Sequence, residues 1–454
     1  MSNPLSSANT SSFSQGSISR QLAQIGTPLL IGSIFQQLYS LVDSAIIGQW
    51  LGQTAFAASG LAAVLVNVCI FLLTGCCAGV AILLANIYGS GDLSRYRREV
   101  FLSSRLGFGF AISLTSLSWL ALPKVLQIMQ TPLQVMSLTT AYLHIILGGL
   151  GITFLYNFLA SVLRSVGDTR SALYFLIAAN IINTILDLLF IAGFHSGVSG
   201  AAWATIISQG LAALLCWQLL RKRYASLLPQ AEDCTWDFTL LRLTTYYASL
   251  SAFQTSLLCI GNVFVQRGVN VLGVEGIAAF AAASRIEGFA KAFAAAGAVT
   301  LAIFIAHNEG AGQSERSRQS FHLASKIMLV LGGCLGIIMY SADRWLLSFF
   351  LGQHADTPLQ MGSLYLRIIA FFYWMPFLAN AFQGWFRGQG QLSVPFIGTA
   401  LQLSIRAYLV LCYVPSYGLT AAAWCTVIGW IAMLALLFSA FKITSVARKF
   451  SPSH

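Results

Sequence analysis

Charge is what this chain has least of. Only 9 % of its 454 residues are Asp, Glu, Lys or Arg, and just 14 are acids; a soluble domain carries about 25 % charged residues. A water-soluble fold of this length needs more charge to cover its surface. A soluble enzyme and a disordered chain are therefore excluded. The nine cysteines form no CxxC pair, and most (Cys69, Cys76, Cys77, Cys259, Cys412) lie in apolar stretches. They read as small buried hydrophobes, with no disulfide and no metal–thiolate site. There is no G-x-x-x-x-G-K-[ST] loop for ATP, and the scattered histidines make no H-E-x-x-H. Gly148-Gly-x-Gly151 lies inside an apolar run and reads as helix packing. The first 19 residues, rich in Ser and Asn, lack the apolar core of a signal peptide.

What remains is apolar. Hydrophobic residues make up 57 % of the chain and mean hydropathy is +0.75. Windows of about 20 apolar residues are long enough to cross a bilayer. Twelve of them centre near Leu38, Val68, Phe110, Ile145, Ala178, Ile207, Leu257, Phe293, Leu331, Phe372, Leu403 and Ile431. The net charge of +11 then belongs to loops and calls for no nucleic acid. Lys and Arg crowd the loops on the side of the termini (Arg95, Arg97, Arg98, Arg164, Arg170, Arg221, Lys222, Arg223). The opposite side carries only Lys124, Arg267 and Arg344. The positive-inside rule places both termini in the cytoplasm. The expected fold is an all-α polytopic membrane protein. A disordered cytoplasmic tail (1–19) precedes an N-lobe of six helices (20–220). A cytoplasmic linker (221–242), a C-lobe of six helices (243–445) and a second cytoplasmic tail (446–454) follow.

The halves repeat at an offset near 221 residues. Gly197-Val-Ser-Gly-Ala-Ala-Trp203 matches Gly418-Leu-Thr-Ala-Ala-Ala-Trp424, and Gly89-x-Gly91 with Arg95 and Arg97 matches Gly310-x-Gly312 with Arg316 and Arg318. Asn157, Arg164 and Gly167 match Asn380, Arg387 and Gly390, and Leu51-Gly52 matches Leu272-Gly273. Six spans per half give equivalent helices one orientation, hence a pseudo-two-fold axis along the membrane normal. Secondary transporters are built this way.

Ionisable groups are expensive at mid-bilayer, about 2.5–3.5 kcal/mol on insertion scales. Three acids sit deep in the spans: Asp43, Asp187 and Glu287. Asp43 follows Pro28 in the first span, where proline removes a backbone donor and bends the helix. Asn180, Asn183 and Asp187 share one helix face at i, i+3, i+7. Carboxylates flanked by amide oxygens suit Na⁺ or a proton, and two carboxylates in one low-dielectric pocket cannot both be charged cheaply. The 221 offset sets Asp43 against Phe264 and Asp187 against Tyr408, so the acids break the repeat that the scaffold keeps. Arg285, Glu287 and Lys291 lie together on the eighth span. Glu287 and Lys291 at i, i+4 form a pair, and all three are candidates, with Asn180, for the cavity or substrate. Arg367 and Arg406 lie nearer span ends, where long cations snorkel to the interface. Some aromatics could line a cavity for planar cations.

These residues resemble the MATE (multidrug and toxic compound extrusion) family, nearer its bacterial DinF-like branch than its NorM-like branch. The resemblance covers about residues 20–445. It rests on Pro28 with Asp43, on Arg164-Ser-x-Gly167-Asp168-Thr-Arg170, on Asn183-x-x-x-Asp187, on Gly200-Ala-Ala-x-Ala-Thr205 and on Tyr365-Leu-Arg367-Ile. It implies twelve helices in two lobes, a V-shaped central cavity, and export of drugs or organic cations coupled to inward H⁺ or Na⁺. The implied coupling site is Asp43, Asn183, Asp187 and Thr205, with Pro28 bending the first helix. Na⁺ at Asp43, Asn183 and Asp187 would be the only metal, and no cofactor is expected. The seventh and tenth spans lack the acids of NorM-like members. The implied protein is a monomer in a bacterial cell membrane, taking drug-like small molecules and changing none of them chemically. The alternative is a lipid-linked oligosaccharide flippase of the same wider superfamily. The acids at mid-membrane weigh against its anionic head group.

Overall fold

The computed structural model describes Phe13 and residues 15–128, 133–351 and 356–450. The remainder of both tails lies outside the described residues. Every regular element described is a helix. Nine helices among the described residues are long and apolar enough to cross a membrane: α1 (Ile18–Gly52), α2 (Ala58–Gly89), α3 (Leu93–Gln127), α5 (Thr169–Gly193), α6 (Gly197–Arg223), α7 (Phe238–Asn270), α8 (Gly273–Gly310), α9 (Ser314–Ser341) and α11 (Ser393–Thr444). Two bent pairs bring the total to eleven. They are α4 (Val135–Gly148 with Leu150–Ser165, bent by 45°) and α10 (Asp356–Phe371 with Trp374–Gly388, bent by 49°). The last helix, α11, has 52 residues, about 78 Å at 1.5 Å per residue, and its backbone leaves helical geometry at Gly418.

The repeat in the sequence is a repeat of turns. Gly52 and Gly273, Gly91 and Gly312, Gly167 and Gly390, and Gly197 and Gly418 all have positive φ, between 61° and 87°. An L side chain is disfavoured there, so the matched glycines mark where the chain must break one helix and start the next.

The chain forms two compact units. The first comprises residues up to Ser249 together with Ile303–Ser320; the second comprises Leu250–Ala302 and the residues from Phe321 onward. Within the first unit the ends of α2 and α8 touch backbone to backbone. A Cβ on Gly89 would collide with the His307 carbonyl, and one on Gly310 with the Asn86 carbonyl oxygen. Asn86 Nδ2 donates to the Ala306 carbonyl at 3.3 Å across the same contact.

Described parts of the N-terminal tail and of the polar linker are packed. Phe13 is 6 % exposed, its ring against Gly167, Phe304 and His307. Arg316 donates to the Phe13 carbonyl (3.0 Å) and to Gln21 Oε1 (2.6 Å). Helix α1 already begins at Ile18. In the 221–242 stretch two short 3₁₀ turns, Ala225–Leu227 and Ala231–Asp233, connect α6 to α7. The Asp233 carboxylate accepts from Arg97 Nε (2.5 Å), Ser94 Oγ (3.3 Å) and the Gln230 N–H (3.1 Å). Arg97, first, and the backbone N–H hold its pKa below the usual carboxylate value, against the opposing effect of burial.

The two glycines of the 310–312 turn should therefore differ. Gly310→Ala, which meets backbone, should abolish the yield of monodisperse protein in detergent. Gly312→Ala meets no atom within 4 Å and should cost only the left-handed backbone penalty, about 1–2 kcal/mol. Fluorescence-detected size exclusion of both variants checks this; equal loss would contradict the packing argument.

Candidate functional site

The site is assembled in the first unit, and it begins with a missing hydrogen bond. Pro28 has no N–H, so the carbonyl of Gln24, four residues earlier, loses its helical donor. Thr169 Oγ1 donates to that carbonyl instead, at 3.2 Å. Thr169 is placed there by the motif around it. Gly167 supplies the left-handed turn that ends α4. Asp168 caps α5, its Oδ1 accepting from the Ser171 N–H (3.1 Å) and its Oδ2 from Ser171 Oγ (2.8 Å) and Tyr224 OH (3.0 Å). The Arg164–Arg170 motif thus stops one helix, caps the next and repairs the proline break in a third. A cavity of about 130 Å³ beside the break is lined by Pro28, Ser33, Gln36, Asn157 and Arg164.

Further along α1, Asp43 meets Asp187 of α5: the two carboxyl groups sit directly against each other. Asp187 is fully buried and Asn183 is 2 % exposed. Asn183 Nδ2 donates to Thr205 Oγ1 on α6 at 3.4 Å, and Thr205 Oγ1 donates to the Ala201 carbonyl at 3.0 Å. Just past Asp187 the helix widens into a π-turn, Leu188–Gly193, a distortion frequent at functional sites. A cavity of about 150 Å³ opens onto Asp43 and Thr205, with Tyr39, Asn67, Tyr142 and Gln209 in its wall.

The bonding balance of the site is one-sided. Both carboxylate oxygens of Asp187 and Oδ1 of Asn183 are buried without a donor among the described residues. Buried acceptors left this way are costly. Oxygen acceptors gathered without a protein cation can be neutralised by a proton or by a hard cation such as Na⁺. Asn180, on the same face of α5, has its Nδ2 buried without an acceptor among the described residues.

Asp43, Asn183, Asp187 and Thr205 are thus brought together. Two residues of the site escaped the sequence reading. The Tyr39 hydroxyl lies within hydrogen-bonding reach of Thr205 and close to both acids; its place four residues before Asp43 on one helix face was a usable signal. Tyr142, close to both acids, arrives from α4 and had none. A third buried polar group, Glu99, was also missed: it is fully buried and accepts from Thr244 Oγ1 at 2.7 Å.

Glu287 lies in the second unit. It is 1 % exposed, paired with Lys291 Nζ at 2.5 Å, and accepts from Tyr365 OH at 2.8 Å. Arg285 is exposed and stands apart from that pair. The two arginines expected to snorkel behave differently. Arg367 Nε donates to Asp343 Oδ2 at 2.7 Å, whereas Arg406 is 6 % exposed, held inside by the packing around it. At Asp343, outside the spans, burial opposes ionisation, but hydrogen bonds from Ser363 and Arg367 outweigh it and hold the pKa below the ordinary carboxylate value.

An all-helical, polytopic body with acids buried among its helices is the build of a membrane transporter. The MatE family model matches residues 28–189 and 248–414, and the chain belongs to that family. It is 27 % identical over 376 residues to Probable multidrug resistance protein YpnP of Bacillus subtilis, covering 82 % of each chain. It is 29 % identical over 343 residues to an FAD transporter of Shewanella oneidensis, covering 73 % of this chain and 74 % of that one. The fold matches the outward-facing structure of a multidrug resistance MATE family transporter with a TM-score of 0.90 at 20 % identity, over 96 % of this chain and 98 % of that one.

The repair of the proline break is testable on its own. Thr169→Val should strand the Gln24 carbonyl and cost about 1–3 kcal/mol, read as a lower melting temperature in detergent. Thr169→Ser should restore it. Equal melting of the wild type and Thr169→Val would contradict the repair.

Proposed function

We propose that this protein is a secondary active antiporter that exports organic compounds, mostly cationic and aromatic, in exchange for H⁺ or Na⁺. The observation that carries the reading is the Asp43–Asp187 pair, pressed together among acceptors that lack donors. Such a site takes up one positive charge readily and gives it up when a second cation arrives. Asp43, Asn183, Asp187 and Thr205 hold the coupling ion, and Tyr39 and Tyr142 shape its surroundings. The bend at Pro28 lets α1 change course as the site is filled and emptied. Alternating access then carries ion and substrate in opposite directions. One elementary charge moving down 100 mV supplies about 2.3 kcal/mol, enough for roughly a fortyfold gradient of a neutral substrate.

The architecture that goes with this reading is twelve crossings, counting α11 as two spans about Gly418, in two six-helix lobes (20–220 and 243–445) joined by the 221–242 linker. The lobes are related by an axis along the membrane normal. Both termini lie in the cytoplasm of a bacterial cell membrane, and the protein works as a monomer. The lack of acids over 240–266 and 361–386 favours the DinF-like branch. Relatives named for multidrug resistance and for FAD transport make the substrate range a matter of each chain's own cavities.

Ethidium efflux from a pump-deficient bacterium tests the proposal. Cells with wild-type protein should retain less dye, and Asp43→Asn and Asp187→Asn should each abolish the difference at equal membrane levels. A proton uncoupler and Na⁺ omission identify the ion. Unchanged efflux in both variants would overturn the assignment of the acids.

A further inference from the structure

The second unit encloses a cavity of about 330 Å³, larger than the cavities beside Pro28 and Asp43, and its polarity is reversed. Lys291, Arg387 and Arg406 stand in its wall, and no carboxylate does. Glu287, one helical turn before Lys291, is engaged by Lys291 and Tyr365. Glu287 also attracts Arg406, but its ion pair and hydrogen bond go to Lys291 and Tyr365, so neither guanidinium group has a carboxylate bonded to it among the described residues. Arg387 Nη2 donates to the neutral Gln254 Oε1 at 2.8 Å, and its Nε has no acceptor among the described residues. Arg406 is 94 % buried (6 % exposed), and its Nε likewise has no acceptor. Burying unpaired cations costs several kcal/mol each. Their planar forks match carboxylate and phosphate oxygens. Tyr373, Phe377 and Trp430 add aromatic surface to the wall, which suits a flat molecule.

We infer that this cavity binds an organic anion, its carboxylate or phosphate held by Arg406 and Arg387 and its aromatic body against Tyr373, Phe377 and Trp430. The chain then carries two cavities of opposite sign, one in each unit. The consequence for transport, that anionic or zwitterionic aromatic compounds are among the substrates, rests on the antiporter reading; the binding itself does not.

The test uses the full-length protein in nanodiscs of neutral phosphatidylcholine and two fluorescent probes with the same xanthene core. Fluorescein is an anion and rhodamine 6G a cation. Titration by fluorescence anisotropy should show fluorescein binding to the wild type. Arg406→Gln and Arg387→Gln should each weaken it about tenfold or more, since a hydrogen bond to a charged group contributes enough for that. Arg406→Lys, which keeps the charge and loses the fork, should fall between. Nanodiscs containing phosphatidylglycerol form a further arm. Displacement of fluorescein there assigns the site to a lipid phosphate, and retention assigns it to a soluble anion. A wild type that binds rhodamine 6G and ignores fluorescein would overturn the inference, and that comparison needs no variant. So would fluorescein binding unaltered in both glutamine variants. Because binding is read without transport, a failed efflux assay and a failed anion site remain distinguishable.

Discussion

Two buried carboxylates pressed together need a positive charge, and no Lys or Arg among the described residues stands in the wall of the cavity beside them. Much of the first unit can be understood from that constraint. Elsewhere in the unit, several buried polar groups find partners inside the protein. Thr169 answers the carbonyl freed by Pro28, Thr244 answers Glu99, and Ser165 receives Tyr96 at 2.8 Å. The bilayer favours such pairing, because no water is at hand to replace a missing partner. Among the described residues, single bare atoms remain on Arg98, Glu99, Asn180 and Asn308, but at Asn183 and Asp187 three bare acceptor oxygens lie within about one turn of helix. On the proposed reading, that cluster is where the coupling ion belongs.

The repeat separates what the fold needs from what the chemistry needs. Its four matched glycine pairs all sit at helix breaks with positive φ, so both halves keep the same punctuation. Charge is not kept. Asp43 is matched by Phe264, Asp187 by Tyr408, and Arg406 by Ile185. One scaffold thus supports an acidic cavity in one unit and a basic one in the other. The energetic reason is local. A buried carboxylate pair and a buried guanidinium pair would each be stabilised by a ligand of opposite sign, and neither gains from a copy of itself in the other unit.

Much of this was legible in the sequence. The twelve window centres fall in eleven candidate spans, two of them in α11 and one, Phe372, at the bend of α10; hydropathy goes this far because a spanning helix must satisfy its own backbone. Asp43, Asn183 and Asp187 stood out as polar residues in apolar runs, and Thr205 came from the family resemblance. What was not legible depends on tertiary contact. Tyr142 comes to the acids from another helix. Phe13 lies in a polar stretch, yet it is buried where Gly167 leaves room for its ring. Arg406 looked like a residue near a span end with a route to the interface. Its burial is set by neighbours from other helices, so weighing the acids alone missed the basic cavity of the second unit.

The most direct test of the central claim is the melting temperature of the purified protein in nanodiscs as Na⁺ concentration and pH are varied separately. An ion that binds the folded state raises stability as RT ln(1 + [L]/Kd). The wild type should melt higher as either Na⁺ or H⁺ rises, and Asp43→Asn and Asp187→Asn should each flatten that dependence. A wild type indifferent to both ions, or a dependence that survives both substitutions, would contradict the account.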